Sequence, residues 1–536
     1  MTQKIDFPPI IFTDDGWIMG ATEPPLSVQD LKEKIVDGYA GTGGALGWSL
    51  GDHELYHYET EVGEIFGTGY EDLEPDLYSF VFSSIPGLLT RTSANVRALI
   101  ESCGGPMGAL TELCRQAGVP FFPRFRMNSH YEIHPDHPSY GCFRRQHPEL
   151  LIGRPGEIIP ENTLEWGLRT GKNYAFPEVR DYALGLITES FERWDVDGVE
   201  LDFMRHPGFF RIEEAYANRY LMTDLICQVR QRLHRTAAAR GKELPLLVRV
   251  PPTLADSARV GVDVAHWIER GLVDIVIVGG GFIPFETPVG EFAAAARGTS
   301  CRIYGCIEAT RTIDPKDMRA LASRWWRDGA DGIYLYNFYT MAPDWNERTF
   351  AELSSPATLA GLDKRYKLER AGAFTPCSGH SCGFRYASPS TQLPVILDES
   401  VLGGGPLLTI DLADDLDAAR RANTLGPCRL FIHLENFTAD DSLEVRLNRK
   451  PVPWNGARVD FAGWNELRVA SLFWGSYPTR PREVFQQGTS VEFELDSEIL
   501  RRGENEVEIG LAERSSQSAP RVQVQDLRLT ITYETA

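Results

Sequence analysis

The stretch Asp197-Gly198-Val199-Glu200-Leu201-Asp202-Phe203-Met204-Arg205-His206 decides how this chain is read. It is a short apolar strand that ends in two carboxylates and runs at once into a basic pair. Residues two apart on a strand face the same side, so Glu200 and Asp202 point together into whatever the strand lines. Two carboxylates on one buried face are costly unless they are paired or used. The arrangement therefore marks a place where the chain does chemistry.

The surrounding sequence repeats the pattern. Strand-like runs at 10–13, 45–50, 121–126, 198–203, 246–250, 274–278, 302–307 and 332–337 alternate with helical periodicity. The helical stretches begin at the cap signature around Ser27 and continue through 93–117 (one or two helices), 177–194, 212–239, 264–270, 291–296, 315–327 and 345–353. Eight near-continuous apolar strands alternating with helices predict an α/β fold, a (β/α)8 TIM barrel, with its strands buried on both faces. An open doubly wound sheet would want a glycine-rich phosphate loop after an early strand. Gly279-Gly280-Gly281 follows the sixth run and lacks that spacing. Beyond about residue 360 helical spacing gives way to short alternating runs at 407–412, 429–434, 443–447, 491–495, 507–509 and 522–533, separated by turn residues. These predict a C-terminal antiparallel β-sandwich domain at 362–536 behind a barrel domain at 1–361.

Composition bounds the function. The 536 residues are 43% hydrophobic and 24% charged, with a formal net charge of −21. So acidic a chain argues against nucleic acid and against an anionic membrane surface as partners. No apolar run reaches the roughly 18 residues of a membrane span. The first residues lack a basic-then-apolar signal, which predicts a cytoplasmic protein, or a secreted or periplasmic one whose leader has been removed. The nine cysteines are scattered and read as buried reduced thiols. Cys377 and Cys382 bracket His380 without a fourth ligand nearby, so no metal and no cofactor is expected.

In a (β/α)8 barrel function sits at the C-terminal strand ends. Those ends carry Asp14, Asp15 and Trp17; Trp48, Asp52 and His53; Arg124, Arg126, Asn128 and His130; Glu200, Asp202, Arg205 and His206; Arg249; Glu308 and Arg311; and Tyr336, Asn337, Phe338 and Tyr339. Asp202 and Glu308 end the fourth and seventh strands, across the mouth from one another. Glycoside hydrolysis needs such a pair, one carboxylate to attack or activate water and one carboxylic acid to protonate the leaving oxygen. Glu200, one layer deeper, reads as a support that orients an arginine or shifts Asp202 by like-charge proximity. Arg126, Asn128 and His130 share a face if the chain stays extended, and suit sugar hydroxyls. Arg126, Arg205 and Arg249 could either keep the carboxylates ionised or bind a charged group of the substrate. Trp48, Asn337 and Tyr339 complete the expected substrate contacts, the aromatics by stacking. His134, Asp136, His137 and His147 lie in a long segment after the third strand that reads as a lid or substrate loop.

Asn173-Tyr174-Ala175-Phe176-Pro177-Glu178-Val179-Arg180, followed by Trp194 to Arg205, resembles the glycoside-hydrolase-like barrel proteins of bacterial polysaccharide degraders. Phe125-Arg126-Met127-Asn128-Ser129-His130 is similar to their third-strand motif, with Ser129 where an aspartate is common. The resemblance spans roughly residues 5–360 and implies a catalytic aspartate on the fourth strand, which falls on Asp202. Sequence therefore points to a retaining glycosidase acting on a polysaccharide or oligosaccharide, with sulfated and uronic glycans among the candidates. Asp202 is read as nucleophile and Glu308 as acid/base, and the roles could be exchanged. Two alternatives stand beside it. One is a metal-dependent sugar enzyme using Glu200, Asp202, His130 and His206. The other is a non-catalytic carbohydrate-binding barrel.

Overall fold

Parallel strands need both faces covered, and each expected strand supplies a short run of apolar residues that is buried throughout. In the computed structural model, which describes residues 7–52, 55–68, 87–129, 135, 140–161, 163–279, 287–308, 314–336, 348, 350–370, 391–397, 405–467, 484–515 and 520–534, these runs close into a ring. The strands are β1 (Ile10–Asp14), β2 (Ala45–Ser49), β3 (Phe121–Arg126), β4 (Val199–Asp202), β5 (Leu246–Val250), β6 (Ile275–Val278), β7 (Arg302–Glu308) and β8 (Gly332–Tyr336). Each pairs in parallel with its sequence neighbours, and β1 closes on β8 with Ile10 opposite Ile333 and Thr13 opposite Tyr336. The barrel expected from the alternation is present, with every strand within two residues of its expected position.

Period-two alternation divides the apolar residues into two cores. Phe7, Ile11, Ala45, Phe122, Leu247, Ile275, Ile277, Tyr304, Cys306, Tyr334 and Tyr336 fill the barrel interior. The intervening residues, such as Phe12, Trp48, Phe125, Leu201 and Val248, pack outward in the cluster shared with the helices. The helices include α1 (Leu88–Cys103), α2 (Pro106–Ala117), α3 (Pro177–Glu192), α4 (Ile212–Arg240), α5 (Val264–Glu269), α6 (Val289–Ala295) and α7 (Pro315–Arg327). The stretch expected as one or two helices at 93–117 is two, because Gly104 and Gly105 take φ +78° and +106° and Pro106 opens the next helix. Ser27 makes the expected capping box with Asp30. On β7, Gly305 lets Trp325 of α7 lie directly on the strand; a Cβ there would come within 2.2 Å of the indole. The helix expected at 345–353 falls partly outside the described residues.

Among the described residues, the C-terminal region forms a short parallel pair of Glu369–Arg370 with Thr391–Leu393 and two larger antiparallel sheets. One has the order Lys364–Lys367, Gln523–Tyr533, Leu425–Glu435, Val484–Leu495 and Arg458–Leu467; the other has the order Leu407–Leu412, Gly503–Glu513, Ser442–Leu447 and Lys450–Val452. Alternate residues of both contribute to a single apolar cluster, among them Leu430, Ile432, Phe493 and Leu529 from the first and Ile410, Val445 and Ile509 from the second. Lys364-Arg365-Tyr366-Lys367 was not expected as a strand, since three of its four residues are charged. Ion pairs with the barrel explain it. Asp317 on α7 accepts from Arg365 Nε at 2.6 Å and Nη2 at 3.0 Å, and Lys367 Nζ stands 3.3 Å away. Arg327, also on α7, donates to Asp411 at 2.7 Å on the second sheet.

Asp317 is buried, which pushes its pKa up, but Lys367 and Arg365 outweigh burial and hold it down at about 2. A depressed carboxylate stabilises the fold above its unfolded-state pKa and loses that contribution as pH falls through the folded value. Asp317→Asn is expected to lower stability by roughly 3 kcal/mol at neutral pH by removing the buried carboxylate that Arg365 and Lys367 share. Chemical denaturation should show this difference shrinking as pH falls from roughly 4 towards 2. A difference that does not change over that range would show that the loss is not electrostatic.

Candidate active site

The ladder around β4 sets the site. Arg124 and Arg126 on β3 stand opposite Glu200 and Asp202, and Arg249 on β5 stands opposite Asp202 from the other side. All five residues therefore belong to one face and one end of the barrel, and Arg124, Glu200, Asp202 and Arg249 are essentially removed from solvent. So many charges can be buried only if each is balanced nearby.

Asp202 is held on all sides. Arg249 donates Nε to its Oδ1 at 2.9 Å and Nη2 to its Oδ2 at 2.8 Å, a bidentate pair. The backbone N–H groups of Met204 and Arg205 donate to the same Oδ1 at 2.9 and 3.0 Å, so the carboxylate also caps the turn that ends β4. Arg124 Nη1 lies 3.6 Å from Oδ2. Burial raises its pKa, but Arg249, Arg124 and the N–H donors outweigh burial and keep the carboxyl below its ordinary value. It is ionised throughout the neutral range.

A second carboxylate anchors the remaining arginines. Asp15, just past β1, accepts from Arg124 and from Arg126, the latter at 2.9 Å. Burial again opposes ionisation, and Arg126, Arg124 and Arg205 overcome it, so Asp15 too is held well below the usual carboxylate range. Stacking adds a further constraint on two of the arginines. Arg249 lies over the Tyr336 ring of β8 at 4.0 Å and Arg124 over the same ring at 5.0 Å.

Two carboxyls behave in the opposite way. Glu200 is completely buried and accepts from the Tyr334 hydroxyl at 2.6 Å. Burial is the largest influence on it and the charge on Asp202 adds to it, against Arg124, the Tyr334 hydrogen bond and Arg249; its pKa rises to about 7. The like-charge effect expected between these two residues thus runs from Asp202 to Glu200 and not the reverse. Asp14, buried at the end of β1 with N–H donors from Gly16 at 2.7 Å and Trp17 at 3.2 Å, is likewise pushed by burial to about 7.

Of the residues expected from sequence, Arg126, Glu200, Asp202, Arg205 and Arg249 gather here. Trp48 does not. It is fully buried on the outward face of β2, in the helix-side core, so it is not a stacking platform for a sugar. It sits one residue off the interior parity of Gly47 and Ser49, and that parity decides the matter. Asn128 is also corrected. Its amide donates to the carbonyls of Lys172 at 2.9 Å and Gly208 at 2.8 Å, and its oxygen accepts from the N–H of Lys172 and Ser129. Every hydrogen-bonding position of the amide is used, so it ties the β3 end to two loops rather than reaching for a ligand. Glu308 ends β7 in register with Tyr336; its side chain, and all of His130, Asn337 and Tyr339, lie outside the described residues, as do His134, Asp136 and His137. His147 is exposed beside Glu149 at 3.3 Å.

Asp15, Arg124 and Tyr336, which the sequence places at strand ends without a specific role, belong to the cluster, and so does Tyr334, which it does not name. Strand periodicity would have found Tyr334, two residues before Tyr336 on β8. Among the described residues no group of three or more His, Cys, Asp or Glu stands together as a metal site, and the seven described cysteines are free thiols. Cys377 and Cys382 lie outside the described residues. No described helix is long and apolar enough to cross a membrane.

No protein-family model and no curated relative matches this sequence. Among solved structures, the chain is similar to the glycoside hydrolase domain of PgaB (BpsB) from Bordetella bronchiseptica, at 13% identity and a TM-score of 0.39 over 65% of this chain and 99% of that one. It is similar to the chitinase ChiW from Paenibacillus sp. str. FPU-7 at 9% identity and a TM-score of 0.41, over 97% of this chain and 54% of that one. A Paenibacillus sp. cycloisomaltooligosaccharide glucanotransferase aligns at 9% identity and a TM-score of 0.33 over 98% of this chain, which spans 58% of that enzyme's length. Likeness at this level assigns no role to any residue, and the barrel is established by its own strand ladder.

Proposed function

We propose that the protein is a glycoside hydrolase that cleaves a glycosidic bond in a polysaccharide or oligosaccharide carrying anionic groups, sulfated or uronic. Residues 1–361 form its catalytic barrel, and residues 362–536 an accessory β-sandwich. The observation that carries this reading is the concentration of buried carboxyl and guanidinium groups at the C-terminal end of a closed parallel barrel, the end at which such barrels do chemistry. Asp202 is ionised at working pH, as a nucleophile has to be. Glu308, at the end of β7, is the proposed acid/base across the mouth. With carboxyl groups about 5–5.5 Å apart the pair would act with retention, and at about 6.5–9.5 Å with inversion.

The charge balance supports an anionic substrate. Arg124 Nε and Arg249 Nη1 are buried at the barrel end without a hydrogen-bond acceptor, and burial raises the pKa of Glu200 beside them to about 7. These two guanidinium groups present positive charge that the described carboxylates do not fully engage. A carboxylate or sulfate on the sugar would neutralise it.

One observation favours a second reading. Both oxygens of Asp202 are already engaged by Arg249, and one of them also by two N–H groups. A barrel that binds carbohydrate without cleaving it would use Asp202 in this way, to hold Arg249 in place.

A screen of hydrolysis over neutral, uronic and sulfated glycans separates the two. Turnover of a uronic or sulfated glycan is expected in the wild type, with a loss of at least about 10³-fold in both Asp202→Asn and Glu308→Gln. Saturable glycan binding without release of sugar would establish the binding-only reading instead. The pH dependence follows from Glu200. Raising pH through about 7 ionises Glu200 beside Arg124, Arg249, Asp202 and Tyr334, which adds negative charge next to the two guanidinium groups. Affinity for an anionic glycan should therefore fall as pH rises from about 6 to 8. Glu200→Gln should flatten that slope, and an unchanged slope in this variant would rule Glu200 out as its source.

A further inference from the structure

Among the described residues, three side chains inside the barrel bury donors that have no acceptor. The Tyr336 hydroxyl, Nη1 of Arg249, and Nε and Nη1 of Arg124 are buried and make no hydrogen bond. The three side chains are themselves completely buried and come from β8, β5 and β3. They are held together by stacking, since both guanidiniums lie over the Tyr336 ring. A buried N–H or O–H without a partner costs free energy, more so when it is charged. For Tyr336 that cost is avoidable. A phenylalanine would keep the same ring between the same two cations and bury no orphaned hydroxyl. Packing therefore accounts for the ring and leaves the hydroxyl unexplained.

The chemistry of the three groups narrows what could complete them. Guanidinium groups only donate. The Tyr336 hydroxyl keeps its proton, because burial and the nearby Asp15 push its pKa up. The nearby carboxylates cannot serve. Asp202 is bound bidentately by Arg249 through Nε and Nη2, Asp15 is bound by Arg124 and Arg126, and Glu200 accepts from Tyr334 through Oε1 while its Oε2 hydrogen-bonds none of these donors. What is missing is an oxyanion brought from outside.

We propose that Tyr336, Arg249 and Arg124 form an anion-recognition site, in which the Tyr336 hydroxyl donates to a carboxylate or sulfate oxygen of the bound sugar and selects charged over neutral substrates. This rests on reading the barrel end as a carbohydrate site. It adds a specificity-determining residue and assigns the charged substituent to particular donors.

The test is calorimetric titration of the full-length protein with glucuronate, inorganic sulfate and glucose, in the wild type and in Tyr336→Phe. The wild type is expected to bind at least one of the two anions and to bind glucose at least tenfold more weakly. Tyr336→Phe is expected to weaken anion binding about tenfold while its melting temperature stays the same or rises, because the ring remains stacked. Binding of glucuronate alone would identify a uronic acid as the ligand, sulfate alone a sulfate ester, and both a general oxyanion site. Anion binding equal in the variant and the wild type would overturn the proposal, as would a wild type that binds neither anion. The underlying glycosidase reading fails separately. A protein that binds anions through Tyr336 and hydrolyses no glycan keeps the anion site and loses the enzyme. One that hydrolyses neutral glycans with Tyr336→Phe fully active does the reverse.

Discussion

Arg249 lies inside a parallel barrel with no exposure to solvent, and the bidentate pair it makes with Asp202 is the interaction on which the end of the barrel depends. A buried cation without a counter-charge would be expelled or would unfold its surroundings. Asp202 supplies the counter-charge, and in doing so it also closes the turn after β4 through the N–H groups of Met204 and Arg205. Arg124 reaches both Asp202 and Asp15, so β1, β3, β4 and β5 are bound into one electrostatic unit. Tyr336 extends that unit to β8 by stacking. The apolar layers beneath could be repacked with other residues of similar volume. This polar layer could not, because each member leaves a buried partner exposed to the full desolvation penalty when it is removed.

The same reasoning explains why some carboxyls in the cluster are ionised and others poised. Asp15 and Asp202 each meet at least two guanidinium groups, and attraction exceeds the penalty of burial. Glu200 is also influenced by Arg124 and Arg249 but, among the described residues, hydrogen-bonds only the Tyr334 hydroxyl, and with the charge of Asp202 adding to it burial wins. Carboxyl groups a few ångströms apart are thereby driven to opposite protonation behaviour, which is the condition under which one fold can hold fixed charges and still titrate near neutrality. At the other side of the barrel, α7 uses the same device for assembly. Asp317 and Arg327 on that helix fasten it to both of the larger C-terminal sheets.

Legibility of the sequence followed the range of the interaction. The strand 198–203 was readable because its apolar alternation and terminal carboxylates are local, and the same holds for the long helix at Ile212–Arg240. The strand Lys364–Lys367 was not readable, because its charges make sense only against Asp317 on a helix some fifty residues earlier. As a strand-end amide, Asn128 reads locally as a sugar ligand. Nothing local says that Lys172 and Gly208 arrive to saturate it. Trp48 illustrates a smaller step: its place near a strand end suggested the mouth, while one residue of parity turned it to the helices.

By itself the sequence determined the order of strands and helices, the closed α/β class, and the shared face of Glu200 and Asp202. All of these follow from covalent periodicities of two and of 3.6 residues. Only the tertiary structure decided which cation meets which carboxylate. That depends on the stagger of neighbouring strands and on the closure of β1 against β8, which brings Asp15 and Tyr336 to arginines far away in the chain. Coulomb attraction and desolvation act on distance in space, and that distance is fixed only once the barrel has closed.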